Sequence, residues 1–331
     1  MIDCVFTIDY EIYGNGEGSL RELVYEPAER LVAIFDKWDA RFVSFVEVAE
    51  FEMIEAAGSD PDIHLVKQQI RKFHETGFEL GLHLHPQWYN ARHEKGKWVL
   101  DYQEYNLCTL SPDRISQIVQ RSMDYLRKVI GDSEFIPISF RAGNWLFQPT
   151  QAAATVLADQ GIKVDSSVFK GGVQHKHSLD YRRALKNGYY WNFSDDVNIA
   201  STDGMLLELP IYTQMVPIWK MFTAKRVGMQ RKSSSSSQAT KGRMGRIRDL
   251  LRLQYPLKFD FCRMTLDELI SMVDREYKKD QDDPSTYRPL VAIGHTKDLV
   301  DFVAVDAFLS YLRQKKIAIS TFEQALDNVR F

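Results

Sequence analysis

A distorted parallel (β/α) barrel of about seven strands is the fold this sequence predicts, on three observations. Short β-rich apolar runs alternate with segments whose apolar residues recur at helical spacing, the order that parallel strands covered by helices produce. No glycine-rich phosphate loop follows the first apolar run, which removes the usual reason to choose a dinucleotide-binding sheet. Ionisable residues gather where strand candidates end, and one rim of a parallel barrel is where functional side chains collect. The 331 residues, 44% hydrophobic and 26% charged, suffice for a large buried core, and 1–331 reads as one catalytic β/α domain.

In chain order, residues 4–8 form the first strand candidate, and Gly14, Gly16 and Gly18 mark a turn soon after. Pro27 opens a helix with Leu31, Ile34 and Phe35 at helical spacing. Residues 42–46 are the second strand. Residues 61–76 place Ile63, Val66, Ile70 and Phe73 on one helical face, and Gly77 ends them as a C′ residue. The third strand is 78–84. Ser111 and Pro112 start a helix to about residue 130, with Ile115, Ile118, Met123 and Leu126 inward. Strands at 135–140 and 162–164 flank a helix at 149–160. Strand 205–209, helix 266–278, strand 290–293, helix 302–315 and strand 317–320 complete the alternation.

The net charge of -3 excludes little, and no nucleic-acid partner is expected. Cys4, Cys108 and Cys262 are odd in number and widely spaced, so they read as reduced thiols, with no CxxC pair for zinc or redox work. No apolar stretch is long enough to span a bilayer and no leader pattern opens the chain, so a cytoplasmic or membrane-peripheral location is expected. One segment stands apart. Between about 219 and 263, 12 Lys and Arg face two Asp around the run Ser233 to Ser237. It reads as a solvated basic insertion with a low-complexity tip. The sharper reading draws 241–255 as a basic helix that grips an anionic lipid headgroup or an acidic saccharide.

The strand ends carry Asp9 and Glu11, then His83 and His85, then Arg141, Asp165 and His295. Residues two apart on an extended segment leave the same face, so His83 and His85 can meet one ion. Two imidazoles with the Glu11 carboxylate make a common three-ligand catalytic zinc site with an open position.

Thr7-Ile8-Asp9-Tyr10-Glu11, Glu79-Leu80-Gly81-Leu82-His83-Leu84-His85-Pro86 and Phe140-Arg141-Ala142-Gly143-Asn144-Trp145 resemble the first three motifs of the polysaccharide deacetylase (NodB-homology) family. Gly161-Ile162-Lys163-Val164-Asp165-Ser166-Ser167 and Ile293-Gly294-His295 resemble the fourth and fifth. The five occur in order from Thr7 to His295 and leave the basic insertion uncovered. The sequence departs from the family pattern where Tyr10 separates two acids that are commonly adjacent, and where the histidines are two apart instead of four. It therefore looks like a divergent branch.

The resemblance implies a metal-dependent hydrolase that removes an N-acyl, acetyl-like group from an amino sugar or saccharide, free or linked to a lipid or nucleotide. It implies one divalent metal ion, most simply zinc, on Glu11, His83 and His85. Asp9 would be the general base, Arg141 would orient it and keep it ionised, and His295 would protonate the leaving amine. Trp145 would wall the pocket and stack on a sugar, and Asp165 would support His295 or sit in the substrate pocket. Apart from the resemblance, Glu208 is an acid on an apolar strand, which faces the pocket and substrate or pairs with a buried cation. Three rival readings stand beside this one. They are a glycoside hydrolase with Asp9 and Glu208 as its carboxylate pair, a carbon–nitrogen hydrolase for another amide, and a saccharide-binding protein without catalysis. His93, His175 and His177 read as loop residues, and His64 and His74 as helix surface.

Overall fold

The computed structural model describes residues 1–217 and 254–330. Its centre is a nine-stranded sheet built from β1 (Ile2–Tyr10), β2 (Val43–Glu47), β3 (Glu79–Leu84), β4 (Ser139–Ala142), β5 (Val164–Asp165), β6 (Trp191–Phe193), β7 (Leu206–Glu208), β10 (Arg288–His295) and β11 (Ala318–Ser320). A separate hairpin pairs β8 (Thr213–Pro217) with β9 (Gln254–Lys258). The sheet runs β6-β7-β5-β4-β3-β2-β1-β10, and β11 takes the lower half of the β1 edge whose upper half pairs with β2. Every pairing in it is parallel except β6 with β7. Single bridges from Ile211 to Val291 and from Asp260 to Ile293 bring the far side round to β10, curling the sheet into the expected barrel-like α/β fold.

Parallel register carries the chemistry to one rim. Asp9 sits opposite His295, and Glu47 opposite His83, which in turn sits opposite Arg141. The strands are buried along nearly their whole length, as expected of a sheet covered on both faces.

The covering helices are α1 (Glu26–Lys37), α2 (Val48–Ala57), α3 (Ile63–Glu75), α4 (Pro112–Ile130), α5 (Gln151–Asp159), α6 (Leu266–Asp282), α7 (Phe302–Lys315) and α8 (Phe322–Leu326). Their ends follow sequence logic. Ser111 caps α4 through the Arg114 N–H, Pro112 fills its first turn, and Gly131 closes it at φ 85°. Thr265 and Glu268 form a reciprocal capping box on α6.

Three expectations change. The strand placed at 135–140 begins only at Ser139, because Pro137 has no N–H for the ladder and the Phe135 carbonyl is taken by Arg127 Nε at 2.9 Å. Helix α2 was not expected, since Val48, Ala49, Glu50 and Phe51 are all buried and no polar stripe marks a helical period. The basic helix drawn at 241–255 cannot end as proposed, because Tyr255 lies in β9; its residues to 253, with most of the basic insertion, lie outside the described residues. The three cysteines are buried free thiols. Among the described residues no helix is long and apolar enough to cross a membrane.

Candidate active site

Strand β1 delivers Asp9 and, one residue past its end, Glu11; β3 delivers His83 and, just beyond, His85; β4 delivers Arg141 and β10 His295. All six are buried, and they converge. Arg141 is spent entirely on orientation. Its Nη1 donates to Asp9 Oδ1 at 2.6 Å, its Nη2 to Thr7 Oγ1 at 2.9 Å and its Nε to the Ser166 carbonyl at 2.9 Å. The guanidinium also lies over the Phe45 ring, 4.1 Å from its centre. Burial alone would raise the Asp9 carboxyl, but Arg141, helped by His83 and His295, outweighs it and holds Asp9 below the usual carboxylate range. The other oxygen, Asp9 Oδ2, is 3.3 Å from His295 Nε2.

Glu11 aims Oε2 at both imidazoles, 3.6 Å from His83 Nε2 and 3.2 Å from His85 Nε2. Its other oxygen accepts from Lys297 Nζ at 2.7 Å, and that ammonium also donates to the Ile12 carbonyl. Burial is again the largest influence on Glu11 and would raise it, yet Lys297 and the two histidines keep it well below the normal range. The His83 ring is fixed by its Nδ1, which can only donate to the Arg141 carbonyl at 2.8 Å, so Nε2 is the nitrogen that faces Glu11, as a donor while the ring is protonated and as a ligand lone pair once it is not. At His85 the Nδ1 neighbours are the side-chain amides of Asn144 and Gln87, at 3.2 and 3.4 Å. Amide oxygen and nitrogen exchange places by a half-turn, so either amide can accept from Nδ1 and free Nε2 in the same way.

Glu47 belongs to this cluster, and the sequence reading passed over it. One of its oxygens caps α2 by accepting from the Glu50 N–H at 3.3 Å, while Oε2 is buried without a partner. Burial, then the charges of Glu50 and Glu11, push the Glu47 carboxyl well above its normal range. Ligand atoms of Glu11, Glu47, His83 and His85 all lie within 4.8 Å of one another. An orphaned buried carboxyl oxygen beside two imidazole nitrogens and a second carboxylate is a donor set that a divalent cation would complete. The rule that found the other residues, an ionisable group where a strand ends, also picks out Glu47 at the end of β2. Lys297, two residues past His295, was discoverable the same way.

Asp165 and Glu208 require correction. They face one another across β5 and β7, both with no exposed surface, so neither offers a substrate anything to touch. Ser167 donates to Asp165 from Oγ at 2.7 Å and from its N–H at 3.2 Å, and the Val168 N–H donates to Glu208 Oε1 at 3.2 Å. Burial, then the neighbouring Asp165 charge, raises Glu208 well above the carboxylate range, and its Oε2 is buried without a hydrogen-bond partner. Nor does Asp165 support His295. The carboxylate beside His295 Nδ1 is Asp298, at 3.7 Å. His93 lies exposed against Trp98, and Trp145 stands at the site, its ring centre 6.4 Å from that of His295. The roughly 440 Å³ cavity lined by Tyr189, Tyr212 and Glu276 reaches Pro289, at the opposite end of β10, and contains none of the site groups.

No family profile and no curated protein matches this sequence. Solved structures do match it. A protein assigned as a polysaccharide deacetylase from Mycobacterium smegmatis aligns with a TM-score of 0.56 at 16% identity, over 99% of this chain and 90% of that one. Another assigned so, from Pseudomonas aeruginosa PAO1, aligns at 0.50 and 11% identity, over 99% and 90%. A 4-alpha-glucanotransferase from Thermococcus litoralis reaches 0.51 at 10% identity, over 99% of this chain and 38% of its own. At such identities the likeness is one of fold. The chain has a divergent NodB-like β/α fold, and likeness of fold does not by itself fix the chemistry.

Proposed function

We propose that the protein is a metal-dependent hydrolase that removes an N-acyl group, most simply acetyl, from an amino sugar. The observation that carries this reading is the meeting of Glu11, His83 and His85 around the unpartnered Glu47 oxygen, immediately beside an Arg141-bound Asp9 and His295. Glu11, His83 and His85 would hold the ion, which zinc fits by donor type. When bound, such an ion lowers the pKa of water and polarises an acyl carbonyl. The chain's own residues supply the rest. Asp9, kept ionised by Arg141, accepts the proton of the attacking water. His295 Nε2, 3.3 Å from Asp9 Oδ2, is placed to deliver a proton to the departing amine. Phe45 and the buried walls around Arg141 keep this exchange out of bulk water.

The glycosidase alternative needs Asp9 and Glu208 on opposite sides of a sugar, and Glu208 is sealed against Asp165 instead. The test is acid release from neutral and charged N-acetyl amino sugars by protein reconstituted with zinc. The reading predicts turnover of at least one sugar, abolished by a chelator, and a kcat loss of about 10²–10⁴-fold in Asp9→Asn. A well-folded, metal-loaded protein that releases no acyl acid from the whole panel contradicts it.

A further inference from the structure

Among the described residues four cations lie near the site, and three are committed. Arg141 holds Asp9, Lys297 holds Glu11, and Arg263 Nε donates to Asp298 Oδ2 at 3.0 Å. The fourth, Lys258, ends β9 and comes from the described end of the basic segment. Among the described residues its ammonium has no carboxylate partner. Asp260, two residues on, turns Oδ1 to the N–H groups of Cys262 and Arg263 instead.

Lys258 is aimed. Its Nζ lies 3.3 Å from the centre of the Trp145 ring and 5.1 Å from that of Phe169, and it is close enough to the site for Asp9 and Arg141 both to act on its charge. Trp145 is itself held in place at a cost. It has φ 61° after Asn144 at φ 55°, two successive non-glycine residues in the left-handed region, each worth about 1–3 kcal/mol of strain. The Trp145 carbonyl accepts from Tyr181 Oη at 2.6 Å, and the Asn144 carbonyl accepts from Gln174 Nε2 at 3.0 Å, which together fix this turn. One face of the indole is therefore covered by the ammonium and only the other is left for a sugar. A ring face attracts an ammonium by about 0.5–2 kcal/mol, too little to replace lost hydration. Burial accordingly pulls the Lys258 ammonium down to about 7, with Asp260 only partly restoring it.

We propose that Lys258, steadied on Trp145, receives an anionic group of the saccharide, carboxylate or phosphate, so that the substrate is a negatively charged N-acyl amino sugar. This rests on the hydrolase reading above and narrows it. An arriving anion would give the ammonium the charge-assisted hydrogen bonds it lacks, next to the groups that act on the acyl carbon.

The test compares three sugars with the zinc-reconstituted protein: an uncharged N-acetylglucosamine oligomer, N-acetylmuramic acid and N-acetylglucosamine 1-phosphate. Wild type should favour a charged sugar by about tenfold or more in kcat/KM, the worth of one hydrogen bond to a charged group. Lys258→Met should erase that preference, and Lys258→Arg should retain most of it. The sugar that responds identifies carboxylate or phosphate as the anion. Equal kcat/KM on charged and neutral sugars, or an equal loss on both in Lys258→Met, overturns the subsite and leaves the hydrolase reading standing. If no sugar is turned over, the hydrolase reading fails. Calorimetric titration of the two charged sugars then decides the subsite alone: binding lost in Lys258→Met supports it, and binding that is unchanged or never detected overturns it.

Discussion

Two pairs of buried carboxyl groups sit at strand ends of the same sheet and differ in the side chains that surround them. Glu11 and Glu47 face two imidazoles, Lys297 neutralises one of them, and an oxygen of the other is unpartnered. Asp165 and Glu208 lie beside each other and the hydroxyl and N–H groups of a turn, within reach of the Arg141 charge, and Glu208 Oε2 is also unpartnered. Residue type and strand-end position are common to both pairs. Both pairs hold an unpartnered oxygen and feel a cation; what separates them is the company of two imidazoles. An orphaned polar atom points to a bound ion when its neighbours are themselves ligand-type groups, and the Asp165 and Glu208 pair has none beyond itself among the described residues.

The largest effect expected on this contrast comes from the cation shared by its two sides. Arg141→Met would leave Asp9 buried and ionised with no counter-charge, and denaturant unfolding should show a loss of about 3–5 kcal/mol. Next comes Glu47→Gln, which removes a charged oxygen from the ion's surroundings. Titration with a competing chelator should show metal affinity reduced by about 10–100-fold, the range that groups supporting a metal site command. The apoprotein should be no less stable, because the amide needs no buried charge. Undiminished affinity would reduce Glu47 to the cap of α2. Glu208→Gln should be milder still: amide for acid at a carboxyl that burial already raises well above its usual range costs about 1 kcal/mol by chemical denaturation. Its metal content should match wild type. Metal loss in Glu208→Gln would erase the distinction between the two pairs.

Much of this was legible in the chain. The β/α alternation, the capped α4 and the strand-end placement of Asp9, Glu11, His83, His85, Arg141 and His295 follow from periodicity and position. Glu47 was equally legible, at the end of a strand already identified, but it precedes a helix whose first turn is buried all round and so shows no amphipathic signal. Lys297 lies close to His295 in sequence, yet only the pairing of β1 with β10 brings it to Glu11. Asp165 and Glu208 misled for the opposite reason. Their sequence context is that of site residues, and only the pairing of β5 with β7 shows that they lie side by side with no exposed surface.

The smallest effect concerns a half-buried acid at the other end of β3. Burial raises the Glu79 carboxyl to about 7 in the folded chain, against 4.5 ordinarily, although Ser139 and the Glu323 N–H donate to it. An acid whose folded pKa is raised stabilises the fold while protonated in both states. Stability should therefore decline as pH rises from 4.5 to about 7 and level off above, by about 1 kcal/mol or more. Glu79→Gln should flatten that part of the pH profile without altering metal content. A slope that survives the substitution would assign the titration to another group.

The most direct test of the account is the metal content of wild type beside His83→Ala, Glu11→Ala and Glu208→Gln, by elemental mass spectrometry after zinc reconstitution. The account predicts about one equivalent in wild type and Glu208→Gln and almost none in the other two. Folded wild-type protein that takes up no metal, or His83→Ala and Glu11→Ala that retain it, would contradict the site on which the proposed chemistry stands.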